Sequence, residues 1–444
     1  MKGKKTHQTQ RDFFKPLLTD FIDLSHELIL LSNKIDWNYF EQDFAQYYSH
    51  TGQPAMPVRL MVGSLLLKRI YNLSDERLCE SWAMNPYMQY FCGMAHFEHQ
   101  FPCDPSDFVH FRKRIGEPGV EKIFAYSVLL FGSQAKEKVQ LSDTTVAENN
   151  TTYPTDSKLA KKIIDKCNKI AFQEGLAQRQ TYVRVSKQFV RDTHNRAHPK
   201  RYKKAKKADA KLKTIAGRLL RELERKLSQD ALKRYEEELK LYWKVLQQKR
   251  TDKDKIYSLH KPFTACIAKG KAHKKYEFGT KVGLTTTYSS LIITAIKSFG
   301  GNPHDSKTIE PLLDQMASTL NYAPDEVVYD RGGKGQKQIK STKISTPDYR
   351  PLKRDTEYQK RTKRNKFRRR AAIEPVIGHL KTDFRLNQNY LWGGESSQIN
   401  AFLAAAGWNL KKMMKQLKEN YGNLLTLILN AIFRTNYLCK KLCS

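Results

Sequence analysis

Apolar positions recur at three- and four-residue steps through the first third of the chain. They give way to alternation near residue 138 and return to helical spacing later. The stretch PVRLMVGSLLLKRIYNLSDERLCESWAMNPYMQYFCG, from Pro57 to Gly93, predicts a helix, a short turn, a second helix and a break at Asn85–Pro86. Ser74 suits the N-cap of the second helix, with acids in the turn that follows. DPSDFVHFRKRIG, from Asp104 to Gly116, repeats the logic of polar start, helix and glycine stop. Arg112, Lys113 and Arg114 cluster near its end. Two readings stand for this region: a DNA-binding unit of helix-turn-helix type, or an ordinary helical bundle whose basic residues face water.

KVQLSDTTV, from Lys138 to Val146, alternates like a strand with one half-buried face. YEFGTKVGLTTTY and SSLIITAIKSFGG predict two more strands much later. A helix follows, with Ile309, Leu312, Leu313, Met316 and Leu320 on one side. DEVVYDRGGKG then reads as a short strand ending at Asp330 and a Gly-rich turn. The order strand, long interruption, strand, strand, helix, strand predicts an α/β domain with a mixed sheet. The expected division is a helical N-terminal domain over 1–135, an α/β domain over 136–160 and 254–425, a basic helical insertion or arm over 161–253, and a C-terminal tail over 426–444.

In the interruption, Leu212, Ile215, Leu219, Leu223 and Leu227 recur at helical steps. So do Leu232, Tyr235, Leu239, Tyr242 and Leu246, after a break at Ser228–Asp230. A helical hairpin or projecting arm is expected. Its basic start, with eight Lys or Arg and one Asp between His198 and Lys213, favours contact with nucleic acid over a merely solvated coil.

Charge changes the picture. The 444 residues hold 79 Lys and Arg against 45 Asp and Glu, a formal net charge of +34. Such an excess points to a polyanion, with counterion release supporting affinity. No apolar leader opens MKGKKTHQTQRDFF, and NLLTLILNAIF is too short to span a bilayer, so a soluble, cytoplasmic and nucleoid-associated protein without a membrane partner is expected. Seven cysteines in a chain this long make no disulfide scaffold. Cys92, His96, His99 and Cys103 could bind zinc, but their spacing fits no common zinc module and the intervening phenylalanines suggest core packing.

Candidate chemistry rests on three acids. Asp143 follows the first predicted strand and Asp330 the fourth. Glu374 sits among apolar residues just after Arg361–Arg370, where seven of ten residues are Lys or Arg. If the first and fourth strands are neighbours, their ends present two carboxylates side by side and a packed helix adds the third. Three converging carboxylates are what two divalent ions need for an in-line phosphoryl displacement. Mg²⁺ suits such a site because substrate phosphates and water complete its octahedron. Asp156, Asp305 and Glu148 are fallback acids. His304 and His379 read as structural or phosphate-facing. RGGKG lacks the P-loop pattern, which argues against a nucleotide cofactor.

SDTTVAENNTTYPTD, IAKGKAHKKYEFGTKVG, NPHDSKTI, VVYDRGGKG and RRRAAIEPVIGHLKTDFRLNQNYLWG, in this order, resemble the bacterial insertion-sequence transposases of the DDE class, in the IS-five group related to the IS-four superfamily. The helical N-terminus is similar to the domain that precedes catalysis in that group. The resemblance implies an RNase H-like mixed-sheet catalytic domain interrupted by the helical insertion, with an all-α N-terminal domain before it. It implies Asp143, Asp330 and Glu374 as catalytic metal ligands for two Mg²⁺ ions, with Mn²⁺ able to substitute. It also implies an aromatic–Arg–Glu–Lys signature at Phe367, Arg370, Glu374 and Lys381. Arg370 and Lys381 would grip phosphates, joined in DNA binding by Phe367, Arg368, Arg369 and Arg331.

The implied activity is metal-dependent cleavage of double-stranded DNA at element ends and transesterification into target DNA, by a homodimer on the DNA. Alternatives are a catalytically inactive, transposase-derived DNA-binding protein and a nuclease without strand transfer. Three departures stand out: Phe367 where the signature has Tyr, Gly333 where an aromatic usually follows the second acid's motif, and Pro375 directly after Glu374. With Pro375, either a helix starts near Glu374 and leaves Arg370 outside it, or one helix is kinked.

Overall fold

The computed structural model describes residues 15–49, 51, 55–249, 251–268, 275–347 and 354–442. The charged N-terminal segment 1–14, the basic run 269–274 and the last two residues of the expected tail lie outside them. Helices α1 (Glu27–Lys34), α2 (Trp37–Asp43), α3 (Val58–Ile70), α4 (Asp75–Met84), α5 (Pro86–Phe91) and α6 (Pro105–Leu129) come first. Their ends follow the local signals. The Ser74 hydroxyl accepts from the Arg77 N–H at 3.1 Å, and Asn85 caps α5 with Pro86 in its first turn. At Gly116 the backbone turns to φ +60°, breaking α6 where the sequence predicts a glycine stop.

The basic cluster of α6 is divided. Arg112 is buried and grips both carboxylate oxygens of Asp75, at 3.1 and 3.0 Å, while Lys68 reaches the same carboxylate at 2.6 Å. The Arg114 guanidinium lies 5.0 Å from the Tyr48 ring. Arg112 therefore holds the helices together, while Lys113 and Arg114 are exposed.

Strand β1 (Val139–Asn149) begins the sheet. Helices α7 (Asp156–Gln173), α8 (Val183–Asp192), α9 (Pro199–Lys226) and α10 (Gln229–Gln247) follow. Then come β2 (Ala265–Ala268), β3 (Tyr276–Thr287), β4 (Ile293–Phe299), α11 (Ile309–Leu320), β5 (Glu326–Val328), β6 (Gln338–Ile339), β7 (Thr342–Ser345), α12 (Glu357–Arg370), α13 (Ile373–Thr382), β8 (Gln388–Asn389) and α14 (Ser396–Leu442). The sheet order is β2-β3-β1-β5-β7-β6, with β4 on β3 and β8 on β1. It is mixed: β1 runs antiparallel to β3 but parallel to β5 and β8. The sequence pattern does not predict β2, β6, β7 or β8. They span two to four residues, too few for alternation to show.

One large core joins the N-terminal helices to the sheet. It contains Leu65 and Leu66 of α3, Phe124 of α6, Leu141 of β1, Leu284 of β3, Val376 of α13 and Phe402 of α14. Burial therefore does not divide at residue 135. A second core lies within α7–α10, built from Ile163, Cys167, Leu212, Leu219, Leu223, Tyr242 and their neighbours. Helix α7 starts at Asp156, so this helical block begins before 161, and α14 continues as one helix through 426. No helix among the described residues is long and apolar enough to cross a membrane.

Candidate active site

Leu141 of β1 pairs in parallel with Val328 of β5. Asp143 and Asp330 each lie two residues beyond that pair. Successive side chains in a strand alternate faces, so Asp143 shares the face of Leu141, at the end where β5 stops. The chain beyond β5 stays extended for one more bond, from the Tyr329 N–H to the Ser345 carbonyl at 2.9 Å. Asp330 then caps a single 3-10 turn by accepting from the Gly332 N–H at 2.8 Å. Asp143 accepts from the Thr144 N–H at 2.8 Å. Beyond the β5 pairing, β1 has no strand partner on this side until β8 joins at Glu148, among the described residues, which leaves the Asp143 edge open.

Glu374 arrives on α13. Ile373, Val376 and Leu380 bury one side of that helix in the main core, while the Glu374 side chain stays 63% exposed. α12 ends at Arg370 and α13 starts at Ile373, so Pro375 falls in a first turn, where its missing N–H costs nothing. Of the two arrangements left open, the helix starts near Glu374. Ala371 and Ala372 in the joint keep right-handed helical angles, which preserves the side-by-side relation of residues 370 and 374.

Arg370 is the centre of the site. Its Nη1 donates to Asp143 Oδ2 at 3.0 Å and its Nη2 to Glu374 Oε1 at 3.1 Å. Burial pushes the Asp143 carboxyl up. The Arg370 charge and the Thr144 N–H pull it down, the Asp330 charge pushes it up again, and the net direction is upward. The parallel register sets Asp143 and Asp330 at the same level, two residues beyond the Leu141–Val328 pair.

Asp305 adjoins from the opposite face. Its Oδ1 accepts from Thr144 Oγ1 at 3.0 Å, and it forms an ion pair with the buried Lys281. Gly332 separates Asp305 from Asp330: a Cβ there would lie 2.5 Å from one carboxylate and 3.0 Å from the other. The sequence reading passes over Lys281. Its signal is a lysine in the middle of β3, where the strand is buried on both faces. Gly333 also has a local reason. A Cβ on it would lie 2.5 Å from the fully buried Tyr329 ring, so the aromatic sits four residues earlier and leaves no space here.

The remaining candidates take varied places. Arg369 donates to the carbonyls of Tyr288 at 2.8 Å and Ser289 at 2.7 Å, docking α12 on the β3–β4 turn rather than facing outward. Phe367 packs against the main core. Arg368 and Arg331 are exposed, and Lys381 is half-buried on α13, two turns beyond Glu374. His304 caps the turn before α11 and His379 pairs with Asp383 at 2.8 Å, and both are exposed. Glu148 lies five residues along β1 from Asp143, and Asp156 is on α7, 3.8 Å from Lys213. Cys92 is buried against Ser64, and His96 meets the Pro16 carbonyl at 3.1 Å. Among the described residues, no three side chains of the Cys92, His96, His99 and Cys103 set come together.

Three carboxylates on one open edge are oxygen donors of the kind that hard divalent ions take. Among the described residues, however, no three His, Cys, Asp or Glu side chains converge closely enough to hold a metal ion. The Arg370 guanidinium stands between Asp143 and Glu374 where a cation would reconcile them. The carboxylates match a divalent ion in chemical kind, and in this arrangement Arg370 bridges Asp143 and Glu374.

Residues 16–114 match the family described as Transposase domain (DUF772), and residues 243–410 match Transposase DDE domain. The second match contains Asp330 and Glu374; Asp143 precedes it, and the β1–β5 pairing brings it alongside. The chain is also similar to an uncharacterized protein, ORF8 in the nfe locus of Rhizobium meliloti. The two are 34% identical over 207 residues, which is all of that protein and 46% of this chain. No solved structure matches.

Proposed function

The chain belongs to the DDE transposases, and from that premise we propose that it mobilises an insertion sequence of the IS-five group by cutting and rejoining double-stranded DNA. In this reading the sheet is an RNase H-like catalytic core, α7–α10 are an insertion into it, and two copies act on paired element ends within the nucleoid. The observation that carries the reading is the Asp143–Asp330 pair beyond the Leu141–Val328 register, tied to Glu374 through Arg370.

Asp143, Asp330 and Glu374 would hold the divalent ions on which the family typically relies, here Mg²⁺ with Mn²⁺ as a substitute. When bound, such ions activate the attacking oxygen and stabilise the leaving oxygen of an in-line displacement. Arg370, released from the two carboxylates, offers its planar fork to a phosphate, and Lys381 adds a point charge two turns along α13. Exposed Arg361, Arg364 and Arg368 recur along one side of α12 and extend the phosphate track. Water first cuts the strand and frees a 3′-hydroxyl, which then attacks a phosphodiester of target DNA. One such bond breaks as another forms, so the joining step needs no external energy source.

The test is cleavage and strand transfer on labelled DNA carrying the sequences that flank the gene, with Mg²⁺ or Mn²⁺. Wild type is expected to cut and join. Glu374→Gln is expected to lose both by about a thousandfold or more while still binding DNA. Wild type that binds these ends without cutting them under either ion would replace this reading with that of an inactive DNA-binding protein.

A further inference from the structure

The last stretch of the sequence motif, LNQNYLWGG, takes no part in the carboxylate site, yet its loop is firmly built. β8 pairs Gln388 and Asn389 with Glu148 and Asn149 of β1. Asn389 is fully buried. Its side chain accepts from the Leu391 N–H at 3.0 Å and donates to Ser396 Oγ at 3.0 Å. Its carbonyl takes a 2.6 Å bond from the buried Lys261 ammonium. On this anchored base Trp392 is 78% exposed and Tyr390 is 53% exposed. Gly393 follows at φ +95°. A methyl group placed on it or on Gly394 would meet nothing within 4 Å among the described residues, so the loop stands uncovered.

Trp392 and Tyr390 line a groove of about 1090 Å³ between this loop and α6. In it Asp75 is paired with Lys68 and Arg112, while Glu76 and Glu395 add negative charge and Lys113 and Arg385 add positive charge. The Arg385 guanidinium lies 5.8 Å from the Tyr390 ring. The Trp392 ring lies 5.7 Å from that of His260, which itself reaches the Asn150 carbonyl at 3.2 Å. A large indole held out on a rigid support is expensive to keep exposed to water, unlike a scattered surface residue. An aromatic pair with Arg385 against one ring and Lys113 in the same groove, on a chain of net charge +34, matches the way proteins hold unpaired DNA bases: rings stack on the bases and cations take the flanking phosphates. The platform and the carboxylates also share a strand. From Asp143 to Glu148 is five steps of about 3.4 Å, roughly 17 Å along β1.

We propose that the Tyr390–Glu395 loop is a nucleobase-stacking site, in which Trp392 receives an unpaired base of the DNA end and Arg385 and Lys113 hold the phosphates beside it. The proposal rests on the reading of the chain as a DNA-cutting enzyme and adds a second contact to it, remote from the carboxylates.

The experiment compares two labelled duplexes of the same end sequence, one blunt and one with three unpaired terminal nucleotides that include 2-aminopurine. Wild type is expected to quench the 2-aminopurine emission on binding. Trp392→Ala is expected to lose the quench and to bind the overhang DNA about tenfold more weakly, with blunt-duplex affinity kept within about twofold. Trp392→Phe is expected to restore most of both, which a purely structural role would not require. Retained blunt-duplex binding also shows that the variant is folded. Equal loss on the two DNAs, or no loss on either, overturns the stacking site. So does a change in sedimentation of Trp392→Ala without DNA, which would make the indole a contact between copies. Wild type that cuts DNA without quenching removes this proposal alone. Wild type that binds neither DNA removes the enzymatic reading as well.

Discussion

The two helical regions of this chain are stabilised in different ways. The N-terminal helices share one continuous core with the sheet, α13 and α14, whereas α7–α10 close a core of their own. The difference separates what must stay in register with the carboxylates from what need not. Arg69 of α3 donates to the Phe384 carbonyl at 3.1 Å and Asn72 donates to the Thr382 carbonyl at 3.0 Å, so the N-terminal helices grip the end of the helix that carries Glu374. DNA read by those helices would be fixed relative to the cutting site. DNA held by α7–α10 would be carried on a body able to unfold or shift by itself.

Phe402→Ala should have the largest effect. Phe402 is 2% exposed and stacks on Phe124 with ring centres 5.6 Å apart, at the junction of α6 and α14. A loss of about 3–5 kcal/mol is expected, and it should lower one calorimetric transition shared by the N-terminal helices and the sheet. Two separately shifted transitions for those parts would break the comparison. Leu219→Ala, fully buried within α9, should cost about 2–5 kcal/mol and lower only the transition of the α7–α10 block. Gly333→Ala should cost about 1–3 kcal/mol, because the added methyl meets the buried Tyr329 ring. Urea unfolding measures it, and a neutral result would show that the turn after Asp330 yields easily.

The smallest effect concerns Asp143. Burial, ahead of every other influence, raises its pKa in the folded protein. The folded state therefore binds this proton more readily than the unfolded chain does. Its stabilising contribution is full below the unfolded carboxylate pKa and is lost as pH rises through the folded one. Asp143→Asn should accordingly melt slightly higher than wild type at pH 7, with the advantage gone below about pH 4. A lower melting temperature at pH 7 would mean that the pairing with Arg370 outweighs burial.

What can be read from sequence follows segment length and chemistry. β1, β3 and β4 are long enough for alternation to show, and the leucine spacing of α9 anticipates its buried side. The partner of that side, α7, is harder to see, because its SKLAKKIIDKCNKIAFQ pattern lies across the expected boundary at 160–161. Asp330 and Glu374 stand out as strand-end and helix acids, whereas Asp143, expected to follow the first strand, lies within β1, because that strand continues on β3 to Asn149 after its pairing with β5 ends at Leu141. That Arg370 bridges two of them cannot be read, because the bond depends on a two-alanine joint whose angles the sequence leaves open. The inward use of Arg112 and Arg369 is equally hidden, since a charge run does not reveal which of its members find carbonyls or carboxylates. Asp305 is visible as an acid in a motif, while its salt bridge with Lys281 needs the fold.

Helix α12 buries none of its residues fully and rests on the protein through Phe367, Lys366, Arg369 and Arg370. Little hydrophobic free energy therefore opposes its local opening, and its amides should exchange with solvent far sooner than those of α3 or β1. Duplex DNA laid along Arg361, Arg364 and Arg368 would supply the missing order. Slowed hydrogen exchange confined to this one helix would then register correct substrate before any bond is broken.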